Sequence, residues 1–254
     1  MADLAGKVAL VTGCGNSAGL GWAIALRLAH DGADVAVHGR PNAEDATREL
    51  GRLVAGFGRR ALRVTADLSK ETDIVKMVDT AYDHFSRIDI LVNNAADTGP
   101  FKASTDLSGR EWDSAIAVNL RGAFLCSREV ARVMTSQGTG TIINLVSGTA
   151  PGEVPGSLIY ATTKAALEAM TLSLARELEP KGIRVNALAP GFVESPVGAK
   201  LRDQADKGKR LREGTARKEL GAELGGAPED VAGAVAFLAS EDARQVNGQV
   251  IRLD

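Results

Sequence analysis

Residues 7–21 read KVALVTGCGNSAGLG. An aliphatic run, Lys7–Val11, leads into a turn with four glycines in nine positions, Gly13, Gly15, Gly19 and Gly21. The chain then passes into GWAIALRLAHDG (21–32), where Ile24, Leu26 and Leu28 stand among alanines. Strand, glycine turn, helix is the opening of a parallel-sheet unit. The same rhythm continues outward. Strand-like runs fall at 34–38, 61–65, 89–92, 141–146, 183–188 and 248–253. Most are unbroken Val/Ile/Leu runs rather than alternations, as in strands covered on both faces. Helical spacing separates them. SGRE (108–111) is a capping box, Ser108 with Glu111, which predicts a helix to about Ser136. The expected fold is one α/β domain over residues 1–254, a doubly wound parallel sheet with helices on both faces. Only 191–226 breaks the rhythm, with no strand and dense charge over 200–219. A strandless excursion of that length is a solvated helical segment or a substrate lid.

Composition narrows the classes. A net charge of −2 offers nothing to attract nucleic acid or an anionic membrane. The two cysteines, Cys14 and Cys126, lack metal or disulfide spacing. No run of about 18 apolar residues suggests a membrane span. MADLAGKVALVTG lacks a basic, long-apolar leader, so a cytoplasmic location is expected. The three histidines, His30, His38 and His84, are scattered, and each is expected in a surface or capping role away from any site.

A glycine turn between strand and helix brings backbone N–H groups up to a pyrophosphate at the positive end of the helix. Gly13, Gly15, Gly19, Leu20 and Gly21 are therefore candidate dinucleotide contacts; the alternative is a mobile loop with glycines at positive φ. The second strand ends in VHGR (37–40). A carboxylate there would grip the 2′-hydroxyl of NAD; Arg40 instead can pair with the 2′-phosphate of NADP. NADP(H) is thus favoured over NAD(H). Further along, LIYATTKAAL (158–167) sets Tyr160 and Lys164 four apart, on one helix face. A phenol near pKa 10 is a poor base, and a neighbouring cation lowers that value. The pair is either an activated acid/base or two amphipathic side chains keeping their tips wet.

In order along the chain stand TGCGNSAGLG (12–21), ADL (66–68), NNAA (93–96), VNL (118–120), IINLVS (142–147), YATTK (160–164), APGFVES (189–195) and PEDVAGAVAFLAS (228–240). From Lys7 to Leu253 the sequence resembles the short-chain dehydrogenase/reductase family, and in general layout its 3-oxoacyl-acyl-carrier-protein reductases. The resemblance implies a Rossmann-type fold and a catalytic tetrad of Asn119, Ser147, Tyr160 and Lys164. Tyr160 would be the general acid/base and Ser147 the hydrogen-bond partner of the substrate oxygen. Lys164 would hold the nicotinamide ribose, and Asn119 a water in a relay to Lys164. The resemblance also implies cofactor contacts from Asp67 and Leu68 near the adenine, and from Asn93 and Ala95 on the floor. Pro190, Gly191, Val193 and Ser195 would lie beside the carboxamide, with Tyr160 and Lys164 on the nicotinamide side. No metal is implied. A homo-oligomer, a tetramer or a dimer, is.

The chain departs from the pattern in places. Five residues, not three, separate Gly13 from Gly19, and Ala96 stands where glycine is usual. The activity expected is interconversion of a carbonyl and a secondary alcohol. The substrate is a 3-oxoacyl thioester, with Lys207, Lys209, Arg210 and Arg212 docking an acidic carrier, or a small polyol, sugar, steroid or other alcohol. A nucleotide-sensing protein without turnover is the remaining reading. Pocket walls are expected from 97–101, from 148–158 with Pro151, Glu153 and Pro155, and from the excursion after Gly191.

Overall fold

The computed structural model describes residues 2–148, 154–212 and 226–253, with side chains of 206–212 left aside. Seven strands form one parallel sheet: β1 Val8–Val11, β2 Asp34–Gly39, β3 Ala61–Thr65, β4 Ile90–Asn93, β5 Gly140–Leu145, β6 Ile183–Pro190 and β7 Val250–Leu253. Their order is β3-β2-β1-β4-β5-β6-β7. The register puts Leu10 beside Leu91 and Val92 beside Ile143, so apolar side chains stack across the sheet centre. All seven expected strands are present, and each boundary moves by two residues at most.

The helices are α1 Leu20–His30, α2 Glu44–Gly56, α3 Glu71–Phe85, α4 Gly109–Ile116, α5 Ala123–Gln137, α6 Leu158–Leu178, α7 Pro196–Arg212 and α8 Pro228–Ala239. One face of the sheet packs on α1, α2 and α8 through Ile24, Leu28, Leu50, Val54, Val231 and Val235. The other packs on α3, α5 and α6 through Ile74, Met77, Val130, Met134 and Leu178. Both faces are dry, which is why the strands read as continuous aliphatic runs.

The capping box forms as expected: Glu111 N–H donates to Ser108 Oγ at 3.2 Å, and Ser108 N–H donates to Glu111 Oε2 at 2.9 Å. The helix it opens is not uniform. A π-helical turn, Ala117–Gly122, separates α4 from α5 and carries Asn119. Such wide turns cluster at functional sites because they break the regular bonding ladder. Within 191–226, no strand forms among the described residues beyond one isolated parallel bridge, Val193 with Gly226. The chain leaves β1 in one direction to β2 and in the other, after a crossover, to β4. The crevice at the carboxyl ends of β1 and β4 is therefore the topological switch point, where open α/β sheets place their ligands.

Candidate active site

The glycine turn follows β1 into this crevice. Gly13 sits at φ +77, and a Cβ there would lie 2.7 Å from Ala95 Cα. A Cβ on Gly21 would meet Asn94 Nδ2 at 2.5 Å and the Gly13 carbonyl oxygen at 2.6 Å. The turn is thus packed onto the segment after β4, and a side chain at either position would push the two apart. Asn94 fastens them: its Nδ2 donates to the Thr12 carbonyl at 2.8 Å and the Gly13 carbonyl at 3.2 Å. Thr12 Oγ1 accepts from the N–H groups of Asn94 and Ala95 at 3.0 and 3.1 Å. Asn93 itself turns away. Its amide reaches Asn144 Oδ1 and Ser127 Oγ, both at 2.9 Å, and braces β4 against β5 and α5. The floor of the turn is the work of Asn94, its neighbour in the same NNAA stretch.

The histidine expectation fails at one position. His38 is buried, and its Nδ1 accepts the Gly13 N–H at 3.1 Å. Its backbone carbonyl accepts the Cys14 N–H at 2.7 Å. A polar residue in an otherwise aliphatic strand end, VAVH, was the available signal. His30 and His84 do lie near helix ends, as expected. Cys14 and Cys126 are buried free thiols pushed up to about 12 by burial, which leaves them chemically quiet.

An account of the turn's amides shows what it can hold. Those of Gly13 and Cys14 are spent on His38, and those of Ala18 and Gly19 on Asn16. Trp22 and Ala23 donate to the Gly19 carbonyl. Leu20 and Gly21, at the first turn of α1, have no acceptor earlier in the helix, and that turn carries no acidic residue. An anion fits there and a carboxylate does not obstruct it. The turn lies close to the segment after β2: a Cβ on Gly15 would be 2.6 Å from Ala43 Cβ. Arg40 begins that segment, is exposed, and makes no ion pair among the described residues. Asp67 follows β3; its Oδ1 accepts from Ser69 N–H at 3.0 Å and Ser69 Oγ at 2.7 Å, and these bonds hold its carboxyl below the usual range. Leu68, next to it, is buried, and its carbonyl lies against Gly122.

On the other side of the crevice, the end of β5 and the start of α6 bring three of the four tetrad candidates together. The Ser147 and Tyr160 hydroxyls are hydrogen-bonded. Lys164 Nζ donates to the Leu145 carbonyl at 2.5 Å and lies 5.5 Å from the Tyr160 ring centre. Burial pushes Tyr160 up to about 12 and Lys164 down to about 8. The expected lowering of the phenol by its ammonium neighbour is therefore not what this arrangement shows. Taking the phenol out of water is the larger cause, and the hydrogen bond with Ser147 pulls the other way; for Lys164 burial is the cause. Asn119 is one shell away. Its Nδ2 donates to the Asp97 carbonyl at 2.7 Å and to Thr163 Oγ1 at 3.1 Å, while its Oδ1 accepts from Asp97 N–H at 2.6 Å. Thr163 Oγ1 in turn donates to the Tyr160 carbonyl. The Asn119 side chain ties the loop after β4 to α6 and has no donor to spare for a water.

After β6, Pro190 closes the strand, and Gly191 N–H donates to the Leu253 carbonyl at 2.9 Å. Val193 is buried, and Ser195 Oγ accepts from Gly198 N–H at 3.1 Å, capping α7. Above Tyr160 lie Val154 and Leu201, with Ala96, Phe101, Phe192 and Val197 packed around them. Of the expected wall residues, Pro151 and Glu153 lie outside the described residues, as do the side chains of Lys207, Lys209, Arg210 and Arg212. Among the described residues no cluster of His, Cys, Asp and Glu could hold a metal, and no helix is long and apolar enough to cross a membrane.

Fold and site together define a nicotinamide-type oxidoreductase scaffold, and comparison with known proteins places it. Residues 13–254 match the family model described as Enoyl-(Acyl carrier protein) reductase. The 3-oxoacyl-[acyl-carrier-protein] reductase FabG of Staphylococcus epidermidis is 36% identical over 248 residues, covering 98% of this chain and 97% of the relative. Glucose 1-dehydrogenase 2 of Bacillus subtilis is 34% identical over 255 residues, covering 99% and 95%. A crystal structure of a short chain dehydrogenase from Burkholderia cenocepacia in complex with NADP superposes with a TM-score of 0.86 at 35% identity, covering 99% of this chain and 98% of that one. The chain belongs to the short-chain dehydrogenase/reductase family.

Proposed function

We propose that this chain is an NADP(H)-dependent reductase of a carbonyl set on an apolar body, with Tyr160 as general acid/base. The observation that carries the reading is the meeting of Tyr160, Ser147 and Lys164 at the carboxyl end of β5, across the switch-point crevice from the glycine turn. The amides of Leu20 and Gly21 would hold the pyrophosphate and Arg40 the 2′-phosphate, with Gly13, Gly15 and Gly19 shaping the turn. Asp67 and Leu68 would line the adenine and Ala95 the floor, which Asn93 braces from behind through Asn144 and Ser127, and Pro190, Gly191, Val193 and Ser195 would line the nicotinamide end. A bound reduced nicotinamide supplies the hydride for the carbonyl carbon.

The protein's own part is to fix and neutralise the oxygen. Ser147 donates a hydrogen bond to it, and Tyr160 transfers its proton as negative charge develops, leaving a secondary alcohol. A phenol near 12 is fully protonated at neutral pH, which suits the reductive direction. Lys164, at about 8, is mostly charged at pH 7 and stabilises the phenolate left behind. Asn119 holds the loop after β4; a water relay to Lys164 would use main-chain carbonyls of the π-helical turn rather than the Asn119 amide.

The apolar residues over Tyr160 favour a 3-oxoacyl thioester or another apolar ketone over a polyol or sugar, whose hydroxyls would be left unpaired there. Val197 and Leu201 pack on this wall from α7, which supports the described part of 191–226 as a substrate lid; 213–225 lie outside the described residues. Exposed Phe124, Leu158 and Leu172, on α5 and α6, are the surface on which a homo-oligomer would form. The test is oxidation of NADPH and of NADH across a panel of acyl thioesters, apolar ketones and sugars. Expected are a preference for NADPH that R40A abolishes, and turnover of the apolar carbonyls. Equal use of both cofactors sinks the Arg40 assignment. Preference for a sugar or polyol sinks the substrate class, and cofactor binding with no turnover of any carbonyl leaves the nucleotide sensor.

A further inference from the structure

One buried titratable residue with no part in the proposed chemistry bonds the glycine turn through its ring. His38 is the penultimate residue of β2, 2% exposed, and follows the valines and alanine of Val35–Val37. Both ring nitrogens are engaged, each at 3.1 Å. Nδ1 faces the Gly13 N–H, and Nε2 faces the Ala66 carbonyl. A backbone N–H can only donate and a carbonyl can only accept. Nδ1 must therefore be the bare nitrogen and Nε2 the protonated one: the ring is neutral and in a single tautomer. The two groups it joins belong to different loops. Gly13 opens the glycine turn, and Ala66 immediately precedes Asp67 in the loop after β3. The His38 backbone carbonyl takes the Cys14 N–H.

We infer that His38 is a positioning residue of the cofactor site, a neutral imidazole strut that sets the spacing between the glycine turn and the Asp67 loop. It would not touch the cofactor. It acts by holding the Gly13 N–H on its ring and the Cys14 N–H on its carbonyl, which fixes the start of the turn that leads to Leu20 and Gly21, and by anchoring Ala66. This rests on the proposed dinucleotide site. An apolar ring of equal size would leave a buried N–H and a buried carbonyl without partners, and the turn would shift to recover them. Asparagine is the conservative replacement, because its Oδ1 occupies the place of Nδ1 and keeps the Gly13 bond while losing Ala66.

The experiment measures NADPH and NADH binding directly, by the change in nicotinamide fluorescence, for wild type, H38N and H38L, alongside steady-state KM and kcat. H38L is expected to weaken binding and raise the cofactor KM about tenfold, with kcat at saturating cofactor within about twofold of wild type. H38N should fall between the two. A strut that mattered only to folding would lower the melting temperature and leave both constants of the folded fraction unchanged, and that result overturns the inference. So does an H38N variant as poor as H38L. Should H38L fail to fold, H38N still decides, together with the spectrum of wild type labelled with [15N]histidine, in which H38N assigns the signal. A neutral Nε2–H tautomer at pH 7 is expected, and an imidazolium or Nδ1–H form overturns the assignment. Wild type that binds neither nucleotide overturns the cofactor reading beneath it instead.

Discussion

Replacing Lys164 with methionine should make this protein more stable and nearly inactive. Lys164 is 4% exposed, and among the described residues its ammonium donates to the Leu145 carbonyl alone. Burial lowers its pKa from 10.5 to about 8. At about 1.4 kcal/mol for each pH unit, the fold disfavours the charged amine by about 3 kcal/mol at pH 7. Methionine removes that cost and keeps most of the apolar stem. It also leaves the Leu145 carbonyl without its donor, which costs about 1–2 kcal/mol. The net expectation is a gain of about 1–2 kcal/mol at pH 7. The pH dependence identifies the cause. Between about 8 and 10.5 the unfolded chain binds the proton and the folded chain does not, so wild-type stability rises with pH through that window. The advantage of K164M should be full below about pH 8, shrink through the window and reverse above pH 10.5, where the lost donor to the Leu145 carbonyl leaves the variant about 1–2 kcal/mol the less stable. Urea unfolding followed by tryptophan fluorescence at pH 7, 9 and 10.5 measures it, with carbonyl reduction expected to fall about a hundredfold or more. A K164M protein less stable than wild type at pH 7, or a gain that does not change with pH, refutes the desolvation argument.

Y160F should lower kcat about a thousandfold while NADPH binding stays within about twofold, since it removes the hydroxyl needed for proton transfer and keeps the ring on the nicotinamide side; paired kinetics and fluorescence titration check it. G13A should abolish measurable cofactor binding and lower the melting temperature, because its Cβ would lie 2.7 Å from Ala95 Cα at a φ of +77. S108A should cost about 1 kcal/mol in urea unfolding through loss of the capping box and leave kcat/KM unchanged. N119A should reduce both stability and kcat, since it frees Asp97 and Thr163 together, and its cofactor KM should stay near wild type.

Much of this molecule is local in origin, and those parts were legible in the residue order alone. The seven aliphatic runs became seven strands because a strand covered on both faces needs no alternation, and the glycines at 13 and 21 announce a turn that admits no Cβ. Tyr160 and Lys164 share a helix face by spacing. What the sequence by itself determined, then, was the parallel sheet, the place of the crevice and the residue types that converge on it. Tertiary structure decided the rest, through distances between segments far apart in the chain. His38 meets Gly13 and Ala66 only when β2 lies between β1 and β3, so its role could not be read from VHGR. Asn94 rather than Asn93 holds the turn because the chain leaves β4 at that point and the amide can reach the Thr12 and Gly13 carbonyls. The protonation of Tyr160 and Lys164 depended on burial, which spacing cannot report: both are buried, and desolvation pushes the phenol up and the amine down.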